Sequence, residues 1–171
     1  MISSRIRIAW IGLWVSLVVA SSGVRAAGEW TPYNGTFPGM VGSICGKPDP
    51  AIFLAVKSRD EWISYWEPLR PRAWQTATNQ VAPIVPTPEV DFSKNIVLAA
   101  SLGCKPSGGY KVEIESIEET PLELIVNVMA TEPGGHCAVT AAFTDPTIHV
   151  LIPQTAKRIS FNISKAVRDC G

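Results

Sequence analysis

From residue 95 onward, the chain alternates short apolar runs with turns rich in glycine and proline, and this pattern constrains its fold more than any other feature. The clearest run, "YKVEIESIEE", sets Tyr110, Val112 and Ile114 against charged neighbours, as a strand with one buried face does. Similar runs are "KNIVLAASLG", "LELIVNVMA", "CAVTAAF", "TIHVLIP" and "RISFNIS". Strands joined by short turns favour a mainly antiparallel β meander, either a sandwich or a partly open barrel.

One short amphipathic helix is predicted ahead of these strands. The apolar run "AIFLAVKS" is typical of a buried strand and leads directly into "SRDEWISYWEPL". Ser58 and Glu61 have the spacing of a capping box, and Pro68 is expected to end the helix at Glu67. One helical face carries Trp62, Tyr65 and Trp66. We expect these aromatic residues to pack in the core, and we assign the fold to the α+β class.

The N-terminus has the features of a secretory signal peptide. Arg5 and Arg7 precede an apolar run over residues 8–20, and Val24 and Ala26 fit the small-residue positions before a cleavage site. The run is shorter than a membrane-spanning helix requires, so an uncleaved anchor is the weaker interpretation. We therefore divide the chain into a signal peptide (1–26), an irregular lead-in (27–50) and one β-rich domain (51–171).

Charge argues against nucleic acid as a partner. The chain has 15 basic and 15 acidic residues, and cleavage after Ala26 would remove three arginines and leave 12 basic residues. No basic stripe remains that could follow a phosphate backbone. After cleavage, no segment is expected to hold the protein in a membrane.

All four cysteines follow the predicted signal peptide. An even number of cysteines in an exported chain indicates disulfides and a periplasmic or secreted location. We therefore expect no free thiol among Cys45, Cys104, Cys137 and Cys170.

The stretch "GCKPSGGY" at residues 103–110 invites a phosphate-loop or metal-site interpretation, and both fail. Gly103 and Gly108 have the phosphate-loop spacing, but Gly109 stands where the lysine is required, and a strand follows instead of a helix. His136 and Cys137 are adjacent, and no pair of cysteines has the close spacing of a zinc site. The sequence therefore predicts no cofactor and no metal.

No catalytic residue is predicted either. The G-x-S-x-G nucleophile motif is absent, and hydroxyls such as those of Ser107 and Thr140 have no evident base. The long proline-rich segment at 70–90, with Trp74 in it, leaves some room for a small hydrolase or a ligand-binding protein.

In a meander, alternate connections lie at the same end of the sheet, so the loop before Tyr110 and the loop "TEPGGH" should be neighbours. This arrangement predicts a Cys104–Cys137 disulfide and leaves Cys45 to pair with Cys170. Such a bridge would be worth about 3–4 kcal/mol by chain-entropy estimates and would hold the two glycine-rich loops as one rigid edge.

These loops are the predicted partner-binding site, because loops on a rigid scaffold often carry function. Their exposed backbone amides could also bind an extended segment of another protein. The alternative is that the glycines only supply turn geometry. The predicted partner-binding residues are Pro106, Ser107, Gly108, Gly109, Tyr110, Gly134, Gly135 and His136.

The order of motifs between about Val56 and Pro153 resembles the PrcB C-terminal domain family of protease-stability-complex subunits. The pattern comprises a Glu-Trp helix, an acidic-Phe-Ser step, a Gly-Gly-Tyr loop, a Cys-x-Val-Thr segment and a late strand ending in proline. It falls here on Glu61, Trp62, Asp91, Phe92, Ser93, Gly103, Pro106, Ser107, Gly108, Gly109, Tyr110, Cys137, Val139, Thr140, Pro146, His149 and Pro153. Departures from the pattern are Ser107, Ala142, Thr147 and the missing lipid-anchor cysteine.

The resemblance implies an exported, non-enzymatic interaction module that binds and stabilises a secreted or periplasmic protease, or its propeptide. The glycine-rich loop also resembles, over a shorter stretch, the loop of chagasin-type cysteine-peptidase inhibitors. Those β-sandwiches present adjacent loops to an active-site cleft, and Gly108-Gly109 and Gly134-Gly135 would be the corresponding tips. An active-site-directed peptidase inhibitor is therefore the alternative function.

Overall fold

The computed structural model describes residues 25–26, 31–32, 50–69 and 86–170, with eight strands and one helix among them. In chain order these are β1 (Arg25–Ala26), β2 (Thr31–Pro32), β3 (Ile52–Val56), α1 (Arg59–Leu69), β4 (Asn95–Ser101), β5 (Lys111–Glu119), β6 (Glu123–Pro133), β7 (Thr147–Pro153) and β8 (Arg158–Arg168). They form two four-stranded sheets, ordered β1-β5-β6-β8 and β2-β7-β4-β3. The predicted α+β class, mainly antiparallel with one short helix, is confirmed.

The main core lies between the two sheets. Strand β4 is central in its sheet and is buried on both faces, which explains its unbroken apolar run. Its residues Ile96, Leu98 and Ala100 contribute to one cluster with residues of β5, β6 and β7. A bulge between Ile114 and Ser116 resets the alternation of β5, so that the next apolar side chain still points into this cluster.

Helix α1 covers the other face of the β2-β7-β4-β3 sheet. Its Trp62 is buried in a second cluster with Val56 and Val97, and the indole Nε1 donates to the carbonyl of Pro88 at 2.8 Å. Trp66 is equally buried, so the expectation that both tryptophans pack in the core is confirmed.

The helix ends later than predicted. The Ser58 hydroxyl does cap it, accepting from the Glu61 amide at 3.2 Å, but Pro68 lies inside its last turn. A proline there removes one backbone donor close to the point where the ladder stops, so its cost in hydrogen bonds is small.

The simple meander is wrong in two places. Only β5 and β6 form a hairpin, because the connections after β4 and β6 cross from one sheet to the other. Strand β8 then returns beside β6 and pairs with it in parallel over eleven positions. The predicted strand at residues 137–143 is an irregular loop in the structure, because its alanine-rich run has no alternation to bury against either sheet.

Several predictions concern residues outside the described ranges. These are most of the signal peptide and lead-in, Cys45, Trp74 and most of the proline-rich segment. Across the part of the chain that the structure describes, none of the helical residues form a segment long and apolar enough to cross a bilayer.

Candidate docking surface

The two glycine-rich loops lie side by side. Lys105 and Thr144 exchange backbone hydrogen bonds of 2.8 and 3.0 Å, and the amide of Gly108 donates to the carbonyl of Thr140 at 3.0 Å. The Thr144 hydroxyl also donates to the carbonyl of Ser107 at 2.8 Å. We call residues 104–110 and 134–144, with Val167 beside them, the paired-loop surface. Its shape is fixed by backbone contacts between the two loops.

The disulfide at this surface is Cys137–Cys170, with 5.0 Å between the Cα atoms, and the predicted Cys104–Cys137 and Cys45–Cys170 pairs are wrong. The parallel pairing of β6 with β8 explains the difference, because it brings the C-terminal ends of both strands to the same place. The amide of Gly134 donates to the carbonyl of Arg168 at 2.9 Å just beside the bridge. Cys104 is also disulfide-bonded, whereas Cys45 lies outside the described residues.

Two glycines of the first loop are required by the loop's own geometry. Gly109 has a φ of +88°, and a Cβ on it would lie 2.8 Å from Val139 Cγ1 and 3.0 Å from Pro133 Cβ. A Cβ on Gly108 would collide with the Thr140 hydroxyl. By contrast, nothing lies within 4 Å of a Cβ placed on Gly135. Only the second loop therefore has a glycine that could accept a side chain without disturbing the packing.

The predicted partner-binding residues divide by exposure. Exposed are Pro106, Gly135 and His136; half-buried are Ser107, Gly108, Gly109, Tyr110 and Gly134. Tyr110 packs against the main core, and the Lys105 ammonium lies 5.5 Å from its ring centroid. Tyr110 thus helps to anchor the loop, and a partner would meet mainly the exposed tips.

Sequence reasoning missed the most exposed apolar side chains of this surface. Phe143 is 63% exposed, Val167 is 71% exposed and Val139 is 39% exposed. The strand predicted at residues 137–143 would bury half of their side chains. The feature of the sequence that indicates an exposed loop is the lack of alternation in "CAVTAAF", which lies between a glycine pair and a proline.

A polar cluster braces the base of the second loop. The Asp145 carboxylate accepts hydrogen bonds from the hydroxyls of Ser101 at 2.9 Å and Thr147 at 3.1 Å. Ser101 Oγ in turn accepts from the amide of Gly103 at 3.0 Å. One carboxylate thereby fixes the end of β4, the start of β7 and the beginning of the first loop.

A second, partly buried polar pair joins helix α1 to strand β7. The Tyr65 hydroxyl lies 2.9 Å from Nε2 of His149, and the His149 ring meets Trp62 edge-on at 5.9 Å. Burial lowers the pKa of His149 to about 4, so the imidazole is neutral at pH 7. Burial and, second, the charge of Asp145 raise the pKa of Tyr65.

These polar groups hold the strand ends and the loops in position. Both hydroxyls at Asp145 donate to a carboxylate that also holds the loop base, which fixes them in place. Within the described ranges, no group of three or more His, Cys, Asp or Glu side chains is arranged to hold a metal ion.

Comparison with known proteins identifies one relationship. Residues 96–153 match the family model described as PrcB C-terminal, and this stretch includes both loops, strands β5 to β7 and all of β4 except its first residue. The resemblance predicted from the sequence is therefore confirmed over residues 96–153. No curated protein and no solved structure matches the chain significantly.

Proposed function

Because residues 96–153 form a PrcB-like segment, we propose that this chain is an exported, non-enzymatic interaction module that docks on a secreted or periplasmic protease, or on its propeptide. The PrcB-like family is not a known enzyme family. The observation that carries the proposal is the exposed Phe143 on a loop held in place by backbone bonds and a disulfide.

The paired-loop surface has the properties of a protein-binding site. Phe143, Val139 and Val167 offer apolar side chains that gain free energy when a partner removes them from water. The bridge between Cys137 and Cys170 and the hydrogen bonds between the loops limit the conformational entropy that binding would cost. A rigid surface with an exposed aromatic anchor suits a docking role.

Export is part of the same proposal. Disulfides at Cys137, Cys170 and Cys104 fit an oxidising compartment outside the cytoplasm. The predicted signal peptide at residues 1–26 would deliver the chain there. Edman sequencing of the secreted or periplasmic form should begin at Ala27, and an intact N-terminus on that form would contradict cleavage.

The docking role is tested by affinity capture from the envelope and culture fluid of the source organism, with peptidase activity as the readout. We expect the wild-type chain to capture a peptidase and the Phe143→Ser variant to lose it. Leu122→Ser is the matched control, because Leu122 is 81% exposed at the β5–β6 turn, far from the loops. Capture without peptidase activity, or equal loss in both variants, would contradict the proposal.

The peptidase-inhibitor alternative is favoured by one observation: the two loops meet, and Gly135 and His136 are exposed on the second. A panel of cysteine, serine and metallopeptidases separates the two functions. Stoichiometric inhibition that is lost in Gly135→Glu would favour the inhibitor, because a side chain there meets open space and leaves the fold intact. Turnover of a simple ester or peptide would contradict both functions.

A further inference from the structure

Strand β8 is an edge strand whose outer side is unpaired among the described residues. It is eleven residues long and pairs only with β6. At its two ends, the amide of Arg158 donates to the carbonyl of Leu122 at 3.4 Å, and the carbonyl of Arg168 accepts from Gly134 at 2.9 Å. Because the register is unbroken, the even-numbered residues direct their backbone groups toward β6. The odd-numbered residues from 159 to 167 therefore direct theirs to the open edge.

The only charged side chains of β8 are basic. Strand β8 contains Arg158, Lys165 and Arg168 and no acidic residue, although Asp169 follows directly. Arg158 is paired with Glu123 at 3.0 Å. Lys165 and Arg168 are exposed, and no carboxylate of the described residues forms an ion pair with either. Two exposed cations thus remain available at the end of β8 nearest the paired-loop surface.

We propose that the β8 edge binds an extended, acidic segment of the partner protein as an added β-strand. Unpaired backbone groups provide the affinity in this mode of recognition, and side chains provide the selectivity. The proposal rests on the proposed docking function, since Val167 and Arg168 connect this edge directly to the paired-loop surface. A partner bound at the second loop could therefore also contact the end of β8.

A second copy of this chain fits the edge poorly. An antiparallel β8–β8 pair centred on Ile163 would set Arg158 of each copy against Arg168 of the other. The acidic strand β5 is the other candidate, but its edge is interrupted by the bulge after Ile114. The charges and the edge geometry therefore favour a different protein.

Segments of this chain outside the described residues fit no better by charge. They contain only two acidic residues, Glu29 and Asp49, and the proline-rich stretch at 70–85 contains two arginines and no acid. An acidic strand must therefore come from another molecule.

Amide hydrogen exchange tests whether the edge is open. In the free protein, the amides of the odd-numbered residues 159–167 should exchange at least about tenfold faster than those of their even-numbered neighbours, since only the latter are bonded to β6. Slow exchange at the odd positions in the monomer would overturn the proposal. A dimer in sedimentation with these same amides protected would also overturn it, because a second copy would then be the occupant.

Binding is tested with the synthetic peptide Glu-Val-Glu-Thr-Glu-Val-Glu and its counterpart in which lysine replaces glutamate. We expect the acidic peptide alone to protect the odd-numbered amides of β8. The Lys165→Glu/Arg168→Glu variant should bind it at least about tenfold more weakly, a difference of about 1.4 kcal/mol. Lys94→Glu is the control, because Lys94 is exposed and lies just before β4, which belongs to the other sheet. Equal binding of both peptides, or no binding of either, would overturn the proposal.

The peptide experiment also separates this inference from the docking function. Phe143→Ser should abolish peptidase capture and leave the peptide-dependent protection of β8 unchanged. Capture that survives the Lys165→Glu/Arg168→Glu substitutions would overturn only the edge proposal. Peptide binding without peptidase capture would support the edge proposal. It would overturn only the proposal that the acidic partner is a protease.

Discussion

Helix α1 and the paired-loop surface use aromatic residues in opposite ways. Trp62 lies against Tyr65, Trp66 and His149 and is buried beneath the helix. Phe143 is 63% exposed on a loop whose shape is fixed by other groups. The difference indicates that the helix-covered face stabilises the fold, while the loop end presents side chains that the fold itself does not need.

The largest expected effect is on the helix-covered face. Trp62→Ala should lower the free energy of unfolding by about 3–5 kcal/mol, because it leaves a large cavity among Val56, Val97 and the neighbouring rings. Urea denaturation followed by circular dichroism measures this change. A loss below about 1 kcal/mol would show that this face contributes little to stability. The contrast with the paired-loop surface would then fail.

Removing the disulfide tests the stability that the loop end does contribute. The Cys137→Ser/Cys170→Ser double variant should lose about 3–4 kcal/mol, as chain-entropy estimates give for a link across 33 residues. The double variant is preferred because a single substitution leaves a reactive thiol. Thermal unfolding of the oxidised wild type, the reduced wild type and the variant provides the measurement. Equal melting temperatures for all three would contradict the bracing role.

The third prediction concerns pH and the helix-covered face. His149 has a pKa of about 4 when folded and about 6.5 when unfolded, so the unfolded state binds more protons between these values. Its stabilising contribution is complete above about pH 6.5 and falls by roughly 3 kcal/mol as the pH decreases to 4. His149→Asn should be less stable at pH 7, but its free energy of unfolding should lack this part of the dependence on pH. Identical slopes for the two proteins would show that the imidazole is not responsible.

The smallest expected effect is Phe143→Ser on stability. An exposed side chain away from the core should change the free energy of unfolding by no more than about 0.5 kcal/mol. Urea denaturation of Phe143→Ser and Trp62→Ala under the same conditions compares the two losses of stability directly. A loss of about 2 kcal/mol or more would mean that Phe143 packs in solution, and its loss of capture could not then be assigned to docking.

The sequence predicted the elements better than their arrangement. The helix with its Ser58 cap, the alternation in β5 and the burial of Trp62 follow from local patterns and were found as expected. The participation of Cys104, Cys137 and Cys170 in disulfides was also confirmed. Each of these depends on neighbouring residues or on composition.

The errors concern contacts between distant parts of the chain. The run "RISFNIS" has the same alternation whether its partner strand is parallel or antiparallel, so the pattern could not place β8 beside β6. The disulfide error followed, because Cys137 meets Cys170 only when β6 and β8 end together. The exposure of Phe143 was missed for a local reason, since a short apolar run was interpreted as a strand.

The position of Cys170 has a consequence for biosynthesis. This residue follows β8, so the link to Cys137 cannot close until the chain has been synthesised and released as far as residue 170. The bond therefore forms only after β8 has been made, so it secures the β6–β8 pair at a late stage of synthesis.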